Sequence, residues 1–263
     1  MEIPFTCCDE WVNAAFVGLQ SCRDIPVRRD IPDPLPRATA LLLHDSFHGL
    51  EVFEANLARQ ARMQSKGTLE KALGAAFAAR TLRKLGKALA PVTGLSPAQR
   101  MQGIGIRTRN PHSQRFRAPM AAEAGRAAGR LFEVRRRLLG QYGIGAALAS
   151  YLVLLSIHPF ADGNGRTARM LFAADVNALD REAAAHVLLG LVLLHRGRSQ
   201  LFHLSALCAR AGDFTMLATC YAEAMVLAGG LLPALYADRG SQAPIDAYRR
   251  IDGLLKPPPL AQT

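Results

Sequence analysis

The strongest signal in the chain is the run Ile144 to Ile157, where almost every position is apolar. A helix of that composition offers no polar face to water, so it is predicted to be buried on all sides at the centre of the fold. Amphipathic segments flank it. Met120 to Leu139 reads as a helix with Leu131, Val134 and Leu138 inward and Arg135, Arg136 and Arg137 partly outward, with Gly140 and Gly143 marking its end. Arg166 to Leu179 reads as the outgoing helix, with Met170, Leu171 and Val176 toward the core. Asp180 starts another, rich in Leu188, Leu189, Leu191, Val192 and Leu193.

Upstream, Ala40, Leu41, Leu42, Leu43, Phe47, Leu50, Phe53, Leu57 and Ala61 form a helical stripe that Gly49 weakens. A second helix is predicted from about Leu69 to Leu89, with a boundary at Pro91, Gly94 and Pro97. Residues 1–36 are irregular, broken by Pro26, Pro32, Pro34 and Pro36. Two short runs, Gly103 to Pro111 and Arg115 to Pro119, read as a β-hairpin. Arg198 to Ala211 and Asp213 to Leu227 form a helical pair split by Gly212-Asp213. Beyond Gly229 the pattern is less regular, and Pro257-Pro258-Pro259 reads as a tail. The prediction is an all-α bundle with one small hairpin. Its parts are an N-terminal helical region (1–99) packing on the core, a core (100–197), and C-terminal helices with a tail (198–263).

Composition changes this picture little. Half of the 263 residues are hydrophobic and only 6% are aromatic, which suits an Ala- and Leu-rich helical core. The net charge of +11 points to solvated arginines, then to attraction for ATP or acidic protein surfaces, and last to nucleic acid, since no DNA-binding motif is present. The cysteines, Cys7, Cys8, Cys22, Cys208 and Cys220, have neither disulfide nor zinc spacing and read as free thiols in a reducing compartment. The N-terminus does not read as a signal peptide, and the apolar run from Ala224 to Ala237 is too short for a membrane span, so a cytoplasmic protein with no membrane contact is expected, the alternative being an effector translocated by a secretion system that leaves no mark in the sequence.

The chemistry is concentrated in His158-Pro159-Phe160-Ala161-Asp162-Gly163-Asn164-Gly165-Arg166-Thr167-Ala168-Arg169. His158 can take a proton near neutral pH. Asp162 is a hard oxygen ligand suited to Mg²⁺. Gly163-Asn164-Gly165 can point successive N–H groups into one hollow. Arg166 and Arg169 share a helix face and supply two cations for a polyphosphate. The segment also fits the dinucleotide fingerprint G-x-G-x-x-A, with Asp180 at the ribose distance. That fingerprint needs a strand running directly into the first glycine and further strands elsewhere, and the chain offers neither. No Lys-Ser or Lys-Thr follows the glycines, which excludes a Walker A loop. A plain surface turn accounts for the glycines but not for two arginines at the start of a helix, where the dipole disfavours cations.

The same residues resemble the signature of the Fic family, His-Pro-Phe-x-(Asp/Glu)-Gly-Asn-Gly-Arg-x-x-Arg, with every fixed position matched. The resemblance implies an all-α core with this loop between two helices, and transfer of AMP from ATP to a Ser, Thr or Tyr hydroxyl of a target protein. It implies that Asp162 holds Mg²⁺, and that Asn164 and the backbone of Gly163 and Gly165 grip the α- and β-phosphates. Arg166 then neutralises the departing pyrophosphate, Arg169 holds the far phosphate and His158 acts as base. The target would dock on a hairpin flap near residues 103–118. Alternatives are a different donor on the same scaffold (another nucleotide, phosphocholine or a phosphoryl group) or a non-catalytic interaction protein. Many Fic proteins carry an inhibitory Ser/Thr-x-x-x-Glu helix. The equivalent region here, His44 to Gly49, has His48 in place of the glutamate, and Glu51 and Glu223 are imperfect substitutes. His48 cannot compete as an anion for Arg169, so activity without a deregulating change is expected, unless an inhibitory partner or a homodimer supplies the carboxylate.

Overall fold

The computed structural model describes residues 27–29, 35–44, 66–94, 99, 101, 105–106, 116–197, 205, 208–209, 213–237, 246 and 249–251. Its helices are α1 (Leu35–His44), α2 (Lys66–Ala78), α3 (Leu82–Thr93), α4 (Ala121–Tyr142), α5 (Ile144–Ile157), α6 (Asn164–Leu179), α7 (Ala184–Gly197) and α8 (Thr215–Tyr236). Two short strands, β1 (Gly105–Ile106) and β2 (Phe116–Arg117), pair antiparallel with Gly105 opposite Arg117 and Ile106 opposite Phe116. Residues 107–115 lie outside the described residues, and two residue pairs alone do not establish a flap.

The apolar run becomes the centre, as its composition requires. All of α5 is buried except Ile144 and Leu155. It packs between α4 and α6. The outgoing helix α6 is the hub, because it touches α1, α2, α3, α5 and α7. Apolar residues from Ala38 to Ile251 join one continuous core. The N-terminal helices therefore lie against the element that carries the candidate site.

Several boundaries differ from expectation. The single helix predicted over Leu69–Leu89 is two, α2 and α3. Thr81 adopts an extended conformation and its Oγ1 accepts the Lys84 N–H at 3.2 Å, an N-cap that starts a new helix. Pro91 lies inside the last turn of α3, which ends at Gly94. Asp180 does not begin a helix. It ends α6, and its Oδ1 accepts the Ala183 N–H at 3.0 Å. The last helix runs through Gly229, Gly230 and Pro233 to Tyr236 rather than fading at Gly229. Its long contact with α7 and buried Leu217, Tyr221, Met225 and Ala228 outweigh its weak propensity there. By length and composition its stretch Thr215–Pro233 could cross a membrane, although one face is packed in the core.

The largest departure is Arg135. Expected to lie partly outward, it is 1% exposed and paired with Asp175 of α6, itself 0% exposed. Arg135 also donates to the Phe77 carbonyl of α2 at 2.7 Å and lies over the Phe77 and Phe132 rings. One guanidinium thus joins α4, α6 and α2. Burial pushes the Asp175 carboxyl up to about 7, because desolvation outweighs the pull of Arg135.

A second polar clasp holds the segment before α1. The Arg28 N–H donates to His186 Nδ1 at 3.1 Å, which leaves the proton on Nε2 to be donated to the Met225 carbonyl at 2.8 Å. Arg29 pairs with Asp180 at 2.8 Å.

Candidate active site

The site is built where α5 stops and α6 starts. His158 is the C-cap of α5, with φ 47° and ψ 59°, and its N–H donates to the Leu154 carbonyl at 3.2 Å. It is the one non-glycine residue with positive φ among those described. An L-residue in this left-handed region costs about 1–2 kcal/mol relative to the right-handed one. A helix would normally place glycine or asparagine there, and residues held in sparsely populated conformations cluster at functional sites. Pro159 follows and prevents the helix from continuing.

The loop is then cinched from within. Asn164 Oδ1 accepts the Phe160 N–H at 2.8 Å, and Asn164 Nδ2 donates to the Phe160 carbonyl at 2.8 Å. Phe160 is buried and forms an antiparallel bridge with Gln99. The resemblance assigned Asn164 to phosphate binding. Its side chain closes the loop through Oδ1 and one Nδ2 hydrogen, which leaves the second Nδ2 hydrogen and the backbone N–H outside those two bonds. Asn164→Ala should therefore lower stability by about 1–3 kcal/mol, the usual cost of stranding buried hydrogen-bonding groups. Urea unfolding of the variant beside wild type checks this.

Gly163, with φ 76°, is the N-cap of α6 in the left-handed region that glycine enters freely. Its carbonyl accepts the Thr167 N–H at 2.9 Å, and its own N–H donates to Asp162 Oδ1 at 2.6 Å. The first-turn N–H groups of α6 have no partners within the helix. They make the positive end of the dipole, and the first turn contains no acid but does contain Arg166. Arg166 is 34% exposed, lies 3.7 Å from Asp162 Oδ2 and donates at 3.4 Å to the Thr93 carbonyl at the end of α3. A cation beside orphan N–H groups is an arrangement suited to an anion.

Arg169 is placed differently from Arg166, although the two share a helix. It is 3% exposed and donates to the Leu43 carbonyl of α1 at 3.2 Å. A Cβ on Gly165 would come within 3.1 Å of its Nη1, so the guanidinium lies directly against the Gly165 backbone and any side chain there would push it away. The structure thus brings Asp162, Gly163 and Arg166 together at the start of α6, with Arg169 packed beneath Gly165. The carbonyls of Leu43 and Thr93 and the bridge to Gln99 had no signal in the sequence, because they are backbone groups delivered by distant helices.

Asp162 is 82% exposed, and no group of three or more potential His, Cys, Asp or Glu ligands occurs among the described residues. A single open carboxylate does not make an all-protein metal cage. It fits Mg²⁺, which commonly takes one or two carboxylates and fills its shell with phosphate oxygens and water. His48 and Glu51 lie outside the described residues. Glu223 is exposed on α8, which packs mainly along α7.

Comparison with known proteins matches this arrangement to a family. Residues 80–174, from the end of the α2–α3 turn through most of α6, match the Fic/DOC family. This segment is similar to a Fic domain. A Fic family protein from Desulfovibrio desulfuricans G20 superposes with a TM-score of 0.56 at 17% identity, covering 94% of this chain and 86% of that one. A Fic domain containing signaling protein from Bacteroides thetaiotaomicron VPI-5482 gives a TM-score of 0.47 at 14% identity, covering 83% and 95%. No curated protein matches the chain. The Fic domain supports a transferase, since the family usually moves nucleotides or other groups onto proteins.

Proposed function

We propose that the chain transfers AMP from ATP to a Ser, Thr or Tyr hydroxyl of a target protein. The observation that carries this reading is the cinched loop, which sets a strained His158 at the end of α5 beside the open N-terminus of α6 with Arg166 in its first turn. The hydroxyl oxygen of the target bonds to the α-phosphorus, the bond from that phosphorus to the α–β bridging oxygen breaks, and pyrophosphate leaves with the electron pair. His158 takes the hydroxyl proton. The first-turn N–H groups and Arg166 face the phosphate charge. Arg169, steadied by the Leu43 carbonyl, adds a second guanidinium beneath Gly165. Asp162 would hold Mg²⁺, which when bound neutralises phosphate charge. The segment of residues 103–118 is the proposed strand-like dock for the target.

The test is incubation of the purified protein with Mg²⁺ and a candidate-protein lysate, using ATP labelled at either the α- or the γ-phosphate. Protein-bound label from the α-labelled ATP alone supports AMP transfer. Label from γ alone means phosphoryl transfer, and none from either means another donor or no catalysis. Arg166→Ala should lower turnover on the order of 10²–10³-fold, the usual cost of losing one group aimed at transition-state charge. Transfer at the wild-type rate in that variant would remove Arg166 from the phosphate site.

A further inference from the structure

The corner between α2 and α3 holds a shallow, open groove of about 520 Å³, lined by Ala75, Ala78, Ala79, Lys84, Lys87 and Ala88. We infer that this groove docks an acidic segment of the protein being modified. Its apolar lining is four alanines, small enough for a backbone to approach closely, and its polar lining is two lysines. Arg80, Arg83, Lys84 and Lys87 are all exposed, and none joins an ion pair with another described residue. The sequence of α3, LRKLGKALAPVT, contains no acid to balance them. Arg83 and Lys84 sit in the first turn, where the helix dipole already opposes a cation, so the charge is set against local preference.

The chemistry selects a peptide over a nucleic acid. An alanine and lysine lining gives bases nothing aromatic to stack on. Lysine is a compact charge that meets a carboxylate from any direction, and its stem can lie along an apolar surface.

The groove is tied to the site by the helix that forms one wall. Thr93, at the far end of α3, receives Arg166. From Lys84 and Lys87 to Thr93 the helix rises roughly 9–14 Å, which an extended target spans with roughly three to five residues. Acidic residues a few positions from the modified hydroxyl would thus lie in the groove while that hydroxyl reaches the loop. Naming the transfer target as occupant rests on the function proposed above. The preference for an acidic peptide does not, since its test needs neither nucleotide nor turnover.

The experiment measures fluorescence anisotropy of a labelled deca-glutamate peptide with the full chain, at low and moderate salt. K84E/K87E should weaken binding on the order of tenfold, from two exposed charge pairs lost and reversed. R126E/R137E makes the same charge change on exposed residues of α4 and should have little effect. A75W fills the groove without changing charge and should also weaken binding. Circular dichroism confirms that each variant is folded. The proposal is overturned if both double variants weaken binding equally, if A75W binds as wild type does, or if a labelled decauridylate binds wild type more tightly than the peptide. A dimer present in wild type and lost in K84E/K87E would make a second copy the occupant and would also overturn it.

Discussion

His158→Ala is expected to lower the proposed AMP transfer by roughly 10²–10⁴-fold, the range for loss of a general base, with nucleotide binding retained. The retention follows from the geometry. In the proposed reaction the groups that face phosphate are the first-turn N–H groups of α6 and Arg166, and the loop that presents them is closed by Asn164 and Phe160 rather than by the imidazole. Alanine alone is an imperfect probe, since residue 158 sits at φ 47° and alanine remains strained there. His158→Gly is the companion variant. Glycine relieves the left-handed conformation, so it should be as stable as wild type or more so, yet as inactive as the alanine variant. Calorimetry, nucleotide titration and the α-label assay on both variants check the pair. Loss of ATP affinity in proportion to activity would mean that His158 shapes the site instead of taking the proton.

Asp175→Ala is expected to destabilise the fold by about 3–5 kcal/mol, because it strands the buried Arg135 cation without a counter-ion. Arg135→Met should cost less. The carboxyl that it strands can become neutral, whereas a guanidinium cannot. Burial already raises the Asp175 pKa from 3.8 to about 7, and Arg135 is what restrains it. A carboxyl raised above its unfolded value contributes stability that is fully present below pH 3.8 and lost as pH rises through the folded pKa. The deficit of Arg135→Met relative to wild type should therefore shrink on acidification, whereas that of Asp175→Ala should not. Urea unfolding of both variants across pH 4–8 measures this. Equal deficits at every pH would show that lost packing over Phe77 and Phe132, not charge, sets the cost.

The two predictions draw on different kinds of information. Everything needed to suspect His158 stood in twelve consecutive residues, because a loop between two helices keeps its chemistry local. The buried pair is forty positions apart, on two helices. Half of its signal was legible. Arg135 falls four after Leu131 and three before Leu138, on the inward stripe, yet it stands in a run of three successive arginines, a composition typical of a solvated face. Its partner was not legible, since nothing in the sequence of α6 says which of its residues meets α4.

Helical elements were thus determined by the sequence wherever periodicity and composition agreed, as in α5, and were misplaced where a lone cap decided the matter. Thr81 divides α2 from α3 with one side-chain hydrogen bond inside an alanine-rich run, a feature too small to register against the surrounding propensity. The opposite error occurred at Gly229, Gly230 and Pro233, where packing against α7 overrides residues that discourage helix. In the site, the residue types and their order came from the sequence. The tertiary structure decided their state. It turned Asn164 inward to close the loop, buried Arg169 beneath Gly165 against the Leu43 carbonyl, and left Arg166 half-buried against the Thr93 carbonyl at the end of α3. Local spacing fixes which side chains share a helix face, but whether that face meets solvent or another helix depends on elements more than seventy residues away.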